Sequence, residues 1–477
     1  MPLEHDKKTE FAEWYSEVVK KAEIVDNRTP VKGANVLLPN GYGIWENIQK
    51  ILDRELKATG HNNYYFPMFI PEELLNQEAE HFSGFAPEVA WITHVGNRKL
   101  ERKVGLRPTS EAIMYSMFSL WIRAHTDLPL KVNQWCNIVR WDTKETKVLL
   151  RDREFLWHEG HTAHATYEEA EEQVKESMRI YEKLFDDLAL SYIILKRPKH
   201  DTFPGADYSV AYDAPLPDGR VLQIGTTHNL GQNFSKAFDV KFQKPDGDHD
   251  YVYQTSYGIS TRIIAAILSF HGDNKGALIP PKVALTQVII IPIYFKNKHE
   301  IVKEAANKVL ETLKNAGIRA RADLRDNYTS GWKFNQYELL GVPLRLEIGP
   351  RDIEKNQVVL VRRDNGEKIT VPQDQLVKKV KDTLDAIEET LRQKAWKRLE
   401  ESISEAKTFE EIEKIYNEKR GIIRTNWCGN PECADVLKEK LSVEIRGTKL
   451  NEEEEPFHSC VVCGKEAKQV VYVASAY

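Results

Sequence analysis

The feature that most limits what this chain can fold into is a change of rhythm at Leu285. Before it, extended stretches of unequal length are set between helices without a fixed pattern. After it the alternation is regular: "TQVIIIPIYF" extended, "HEIVKEAANKVLETLKNAG" helical, "IRARADLR" extended, "SGWKFNQYELLG" helical, "PLRLEIGP" extended, then an Asn365-Gly366 hairpin turn. Such a βαβαββ unit is a self-contained domain of ordinary size. The 477 residues also exceed the ~250 to 300 at which a single core stops growing. The expected division is residues 1–284, 285–376 and 377–477. In the last part Val377, Val380, Leu384, Ile387 and Leu391 alternate spacings of three and four, which predicts a long packed linker helix; a capping box from Thr408 to Glu411 opens another.

The first part reads as a large α+β domain. After "LPNGYG", Ile44, Ile48, Ile51, Leu52 and Leu56 keep a helical period, and Gly60 is placed to end the helix. "PLKVNQWCNIVRWDT" and "KVLLRDREFLWHEG" are two extended stretches that can pair antiparallel. A charged helix, "YEEAEEQVKESMRIYEKLFDDL", follows. "SYIILKR", "DYSVAYDAPL", "RVLQIGTTHNL" and "YVYQTSYGIS" supply further strands, and "TRIIAAILSFHG" a buried helix.

Charge excludes a general affinity for polyanions. With 67 basic and 72 acidic residues the net charge is -5, so any contact with nucleic acid must be local. No apolar run approaches the ~20 residues of a bilayer span, and a charged N-terminus replaces the apolar stretch of a signal peptide. A cytoplasmic chain with no membrane partner is expected. Of the five cysteines only Cys136 stands apart. Cys428 and Cys433 have four residues between them, Cys460 and Cys463 two, and glycines follow Cys428 and Cys463 directly. Two paired thiolate turns suit a closed, structural Zn²⁺ site better than four reduced thiols in a tail.

The densest chemistry lies in "LLRDREFLWHEGHTAHAT", Leu149 to Thr166. A helical metalloprotease motif needs histidines one turn apart, whereas these are spaced by three, and Gly160 and the aromatics disfavour helix. Read as a strand, the period of two puts Arg151, Arg153, Phe155, Trp157, Glu159 and His161 on one face. Arginines grip phosphate and an aromatic ring stacks a planar base; an exposed, salt-bridged strand is the competing reading. "NIVRWD" on the pairing strand brings Arg140 beside Arg151, and two arginines with acids between them suit a nucleotide triphosphate with Mg²⁺. Neither a Gly-x-x-x-x-Gly-Lys-Ser/Thr loop nor a Gly-x-Gly-x-x-Gly turn is present, so a nucleotide must be held by side chains on a sheet.

The order "GYGIWENIQKIL…YYFP", "VRWD…LLRDREFLWHEGHTAHAT" and "YGISTRIIAAILSFHG" resembles motifs 1, 2 and 3 of class II aminoacyl-tRNA synthetases. "RPTSE" with "REFLWHEGHTAHAT" is similar to the prolyl-tRNA synthetases, in the archaeal and eukaryotic type with a zinc-bearing C-terminal extension. The resemblance implies an antiparallel-sheet catalytic domain, a mixed-sheet anticodon-binding domain and a small zinc-binding α+β domain. It implies ligation of L-proline to tRNA(Pro) with ATP and Mg²⁺, in a homodimer whose interface helix belongs to motif 1, Gly41 to Pro67. Another synthetase of the same subclass, for threonine, histidine or glycine, and a non-enzymatic tRNA-binding paralogue are the alternatives.

Carried over position by position, the resemblance makes Arg140 and Arg262 the catalytic pair. ATP is expected on Arg140, Asp142, Arg151, Phe155, Gln223, Thr226 and Arg262, with adenine between Phe155 and Arg262. Proline is expected on Thr109, Glu111 and Arg140, walled by Trp157, His161 and Phe203, with Glu159, His228 and Ser260 around it. Phe85 and Glu88 match a loop that closes over the substrate, and Tyr477 is expected to reach the catalytic domain. Arg325, Lys333, Phe334, Glu338, Arg345 and Arg351 are the candidate anticodon contacts. Asp142 departs from the family's Arg-x-Glu by one methylene.

Overall fold

The computed structural model describes residues 3–82, 89–141, 145–295, 298–450 and 452–477. Phe85, Glu88 and Asp142 lie outside the described residues.

The large sheet has 11 strands among the described residues. Its centre runs Ile193–Lys196, Tyr208–Pro215, Val221–Gly231, Tyr253–Ser260, Glu154–His164 and Leu130–Val139, antiparallel throughout. Val139 sits opposite Glu154, and Ser260 opposite Trp157. Helix Tyr167–Asp187, capped by the Thr166 side chain on the Glu169 N–H, presses its apolar stripe onto one face of this sheet. On that face the even-numbered side chains of Glu154–His164 turn inward. His158 is fully buried, bonded to Asn133 and the Tyr181 hydroxyl at 2.6 Å each, and burial lowers it to about 3. Gly160 is required there, because a Cβ would stand 2.0 Å from the Tyr257 ring.

The extended reading of Lys147 to Gly160 is corrected at its start, since the strand begins only at Glu154. Leu149 takes a left-handed backbone (φ 62°), its N–H bonds to Asp152 Oδ2 at 2.8 Å, and the Arg151 N–H turns back to Lys147 O at 2.7 Å. Lys147 to Arg151 is therefore a tight turn, and the strand parity drawn through Arg151 and Arg153 does not hold. Arg153 packs over Trp141, 4.9 Å from ring centre.

Helix Pro39–Ala58 buries Ile44, Ile48, Leu52 and Leu56, and ends as expected at Thr59 with Gly60 left-handed (φ 88°). The regular unit after Leu285 forms a five-stranded sheet in the order Ala320–Ala322, Val288–Pro292, Leu344–Ile348, Gln357–Arg362, Lys368–Pro372. Its first three strands are parallel, joined by the helices His299–Asn315 and Ser330–Leu339. Helix Leu376–Ser402 spans 27 residues and buries Val380, Leu384, Ile387 and Leu391 in the core of that unit. Farther along, its Ala395 reaches the core of the large domain.

The C-terminal strands Ile403–Glu405, Ile422–Trp427, Gln469–Ala474 and Glu444–Lys449 extend the large sheet instead of standing apart from it. The join is made by Thr448 opposite Lys196 and Lys449 opposite Leu195. Among the described residues no helix is long and apolar enough to cross a membrane.

Candidate active site

Two chambers open on the face of the large sheet away from helix Tyr167–Asp187. The first, about 400 Å³, is lined by Thr109, Glu111, Trp157, Glu159, His161, Phe203, Thr226 and His228. The second, about 370 Å³, is lined by Arg151, Asp152, Phe155, Ser260, Arg262, Arg446 and Tyr477. Arg140 and Gln223 line both, so the chambers meet at these two side chains.

Strand geometry assembles the first chamber. The odd-numbered Trp157, Glu159 and His161 face it, and directly opposite them on Tyr253–Ser260 stand Ser260, Gly258 and Ser256. Thr226 and His228 continue that face on Val221–Gly231. Gln223 would point the other way by parity. A bulge pairs Tyr212 with Gly225 and Asp213 with Gln223, which adds one residue to the longer strand and turns Gln223 into the site.

The floor of the chamber is a buried carboxylate–imidazole cluster. His161 Nε2 lies 3.1 Å from Glu159 Oε2, and its Nδ1 meets the Tyr115 hydroxyl at 2.9 Å. Glu159 Oε1 accepts from Ser110 Oγ and from Gln134 Nε2, the latter at 3.0 Å. Burial opposes charge on both partners. The hydrogen bond between them, their opposite charges and the neighbouring Glu111, Ser110 and Gln134 together outweigh it, lifting His161 above its ordinary value and holding Glu159 below its own. Glu111 accepts from the Thr109 hydroxyl, and burial raises its carboxyl above the usual 4.5. A carboxylate that is costly to ionise alone becomes a good partner for an incoming ammonium. The rings of Phe203 and His228 lie 4.8 Å apart and form an opposite wall. His228 bonds Ser209 Oγ at 2.7 Å, and burial lowers it to about 3, so it stays neutral.

The second chamber gathers positive charge. Burial lowers the Arg262 guanidinium to about 10, and the nearby Arg140 and Arg151 push it the same way. Arg262 is aimed by bonds to Leu150 O (3.1 Å) and Gln223 O (3.4 Å). Arg140 donates to Pro108 O at 3.1 Å and lies over both Phe155 (5.7 Å) and Trp157 (5.5 Å). Crowded guanidiniums beside an aromatic face suit an anionic nucleotide.

Most of the expected residues come together, with exceptions. Ser260 lines the second chamber rather than the first, where it accepts the Arg262 N–H at 3.2 Å; Thr226 lines the first rather than the second. Reading the sequence missed Asp152, Arg197, Asp213 and Arg446. Burial raises Asp152 to about 7 against bonds from the Leu149 N–H and Asn35. An acid inside an arginine-rich turn was the signal available for it. Tyr477 docks against the sheet, with its N–H on Val221 O at 3.1 Å and its hydroxyl on Asp218 at 2.5 Å.

In the regular unit, Phe334, Glu338 and Arg345 form one cluster: the Arg345 guanidinium lies 4.0 Å from the Phe334 ring centre and 3.0 Å from Glu338. Lys333 is corrected, because it is 1% exposed and its ammonium is spent on Asp323 O at 2.9 Å and on Arg325 O. Arg325 and Arg351 reach the surface. Beside Arg325 the half-exposed Tyr328 and Trp332 stack at 4.1 Å, a pair not singled out from the sequence. The Sγ atoms of Cys428, Cys433, Cys460 and Cys463 all lie within 4.8 Å of one another, as four thiolates around one tetrahedral ion require.

Comparison with known proteins agrees along the chain. Residues 92–271 match the family model "tRNA synthetase class II core domain (G, H, P, S and T)", 287–383 "Anticodon binding domain", and 409–477 "Prolyl-tRNA synthetase, C-terminal". The chain is 48% identical over 471 residues to the proline--tRNA ligase of Pyrococcus abyssi, covering 98% of each. It is 46% identical to that of Alkaliphilus oremlandii, covering 100% of this chain and 97% of the relative. It superposes on the crystal structure of the prolyl-tRNA synthetase of Cryptosporidium parvum in complex with halofuginone and AMPPNP with a TM-score of 0.94 at 41% identity, covering 100% and 99% of the two chains.

Proposed function

The chain belongs to the prolyl-tRNA synthetases, class II ligases that join proline to tRNA, and from that membership and the two chambers we propose how its residues divide the work. The reaction converts L-proline and ATP to prolyl-adenylate and pyrophosphate, then moves the prolyl group to the 3′ end of tRNA(Pro). The observation that carries the division is that Arg140 lines both chambers.

In the first chamber the secondary ammonium of proline donates to Glu111 and Thr109, and the ring rests between Trp157 and Phe203. Its carboxylate then points to Arg140. In the second chamber adenine lies on Phe155, and the phosphates turn among Arg151 and Arg262. ATP comes as its Mg²⁺ complex, which offsets phosphate charge; Asp152 and Glu444 are the carboxylates lining that chamber among the described residues. One carboxylate oxygen of proline attacks the α-phosphorus, the bond from that phosphorus to the bridging oxygen of pyrophosphate breaks, and pyrophosphate leaves. Arg140 holds the attacking carboxylate and the α-phosphate together and stabilises charge on the equatorial oxygens. No side chain acts as nucleophile.

This division separates kinetic constants. Glu111→Gln removes a charge-assisted bond to proline and is expected to raise KM for proline by roughly 10- to 100-fold, with KM for ATP unchanged. Phe155→Ala shifts KM for ATP instead. Steady-state pyrophosphate exchange reads both, and equal shifts of both constants in either variant would sink the two-chamber assignment.

Cys428, Cys433, Cys460 and Cys463 fit a structural Zn²⁺, which supplies a cross-link between two turns when bound. The anticodon contacts follow the Phe334, Glu338 and Arg345 cluster and the Arg325, Tyr328 and Trp332 surface, whose rings offer faces to splayed bases. A homodimer through Gly41 to Pro67 is supported by the exposed Tyr65 (75%) within that segment and by the part-exposed Trp121, whose ring stacks on Tyr64 at 5.7 Å. Sedimentation equilibrium at the mass of one 55.0 kDa chain would contradict it. A cytoplasmic location accords with the family's place in translation.

A further inference from the structure

Gln223 is aimed into the junction of the chambers by its bulge, and its side chain has a fixed polarity. Arg197 Nη2 donates to Gln223 Oε1 at 2.7 Å. Arginine has no acceptor, so the amide oxygen must face Arg197 and the amide NH₂ is left toward the junction. What holds Arg197 is a carboxylate from the neighbouring strand and a residue from the C-terminal region. Arg197 Nη2 also reaches Asp213 Oδ1 at 3.0 Å, and its Nη1 donates to the backbone oxygen of Arg446 at 2.9 Å. Arg446 in turn grips both oxygens of Asp213, from Nε at 2.7 Å and Nη2 at 3.1 Å. Asp213 is fully buried, Arg197 and Arg446 are each 6% exposed, and no water-facing alternative is open to the carboxylate.

The chain is shaped to deliver Arg446 there. It is the extra residue of a second bulge, since Ile445 pairs with Val473 and Gly447 with Tyr472. The next residue, Gly447, takes φ 136°, and a Cβ on it would stand 2.1 Å from Lys196 O. The C-terminal strand thus approaches the large sheet as closely as backbone allows, at the point where Arg446 enters.

We propose that Arg446 is a positioning residue for adenylate formation: through Asp213 and Arg197 it orients the Gln223 amide, so that the C-terminal region completes the junction at which proline and ATP react. The inference rests on the reading of that junction as the reacting centre. Arg446 also lines the nucleotide chamber, so a direct contact with ATP is the rival route.

A double-mutant cycle on the full-length holoenzyme separates them, using proline-dependent pyrophosphate exchange. Gln223→Ala alone tests the junction, and full activity in it would remove the premise. Arg446→Met is expected to lower kcat by roughly 10- to 100-fold, the scale of a misplaced catalytic group. In the Gln223→Ala background the same substitution is expected to change kcat less than about twofold, because the group it orients is gone. Equal losses in both backgrounds would overturn the proposal and favour direct contact with ATP. Should Arg446→Met lower the melting temperature, Arg446→Lys carries the same cycle. It keeps a cation beside Asp213 but cannot grip both oxygens, and a partial loss confined to the Gln223 background is expected; an additive loss overturns the proposal here too.

Discussion

Arg140→Ala is expected to lower proline-dependent pyrophosphate exchange by roughly 10³-fold or more while leaving tRNA binding within about twofold. The magnitude follows from where the side chain sits. It is the arginine common to both chambers, aimed by Pro108 O and braced over Phe155 and Trp157. Removing it takes away charge at the carboxylate, at the α-phosphate and at the trigonal-bipyramidal centre between them, so kcat falls rather than KM alone. The anticodon-binding unit after Leu285 has its own core, to which the large domain adds Ala189 and Leu278, so its tRNA contacts are expected to survive the change. Loss of tRNA binding together with exchange would mean that Arg140 holds up the fold instead of the reaction. Arg140→Lys is expected to recover little, since an ammonium cannot span two oxygens with a planar fork.

The second large effect is expected on removing the Cys428, Cys433, Cys460 and Cys463 ion site, by chelation or by Cys460→Ser. Structural Zn²⁺ supplies on the order of 10 kcal/mol in small domains, comparable with the whole stability of a domain. The C-terminal region is expected to unfold locally, seen as loss of hydrogen-exchange protection over Ile422–Trp427 and Gln469–Ala474. The damage then crosses the continuous sheet, because Thr448 and Lys449 leave the edge of Ile193–Lys196 and Asp213 loses one of its two arginines. Breaking a buried pair from one side costs about 3 to 5 kcal/mol. Adenylation should therefore fall with zinc loss, although the cysteines are remote in sequence from Thr109, Glu111, Arg140, Phe155 and Arg262. Unchanged exchange protection after quantitative metal removal would show that the four thiols hold the fold by packing alone.

How much of this could be read from residues depended on how regular the chain is locally. The unit after Leu285 was legible because each element follows its own period, and the long helix because its buried residues keep three-and-four spacing. On Glu154–His164 parity placed Phe155, Trp157, Glu159 and His161 on one face, and the strand is regular there. It failed for Arg151 and Arg153, where Leu149 turns left-handed and a hydrogen bond to Asp152 ends the extended chain. Gln223 shares a face with Thr226 and His228 only through a bulge, whose register depends on a partner strand that sequence alone does not supply. Lys333 looked like a surface cation because Lys usually is; the neighbouring loop's carbonyls bury it. The Asp213 clasp was the least visible, because Arg446 lies 233 positions away and no local pattern marks it. The roles attached to the site residues came from resemblance; spacing and period show only which residues share a face.

The reading of these chambers as a proline-activating centre is tested most directly by pyrophosphate exchange on the unaltered chain, with each amino acid supplied in turn. Proline is expected to drive exchange with the highest kcat/KM, with alanine and cysteine weaker by roughly 10- to 200-fold for each ring methylene they lack. Threonine, histidine and glycine are expected to remain near background, because threonine brings a hydroxyl and histidine an imidazole to the apolar slot between Trp157 and Phe203, and glycine brings no side chain to fill it. Exchange driven by threonine, histidine or glycine in preference to proline, or none with proline, would contradict it.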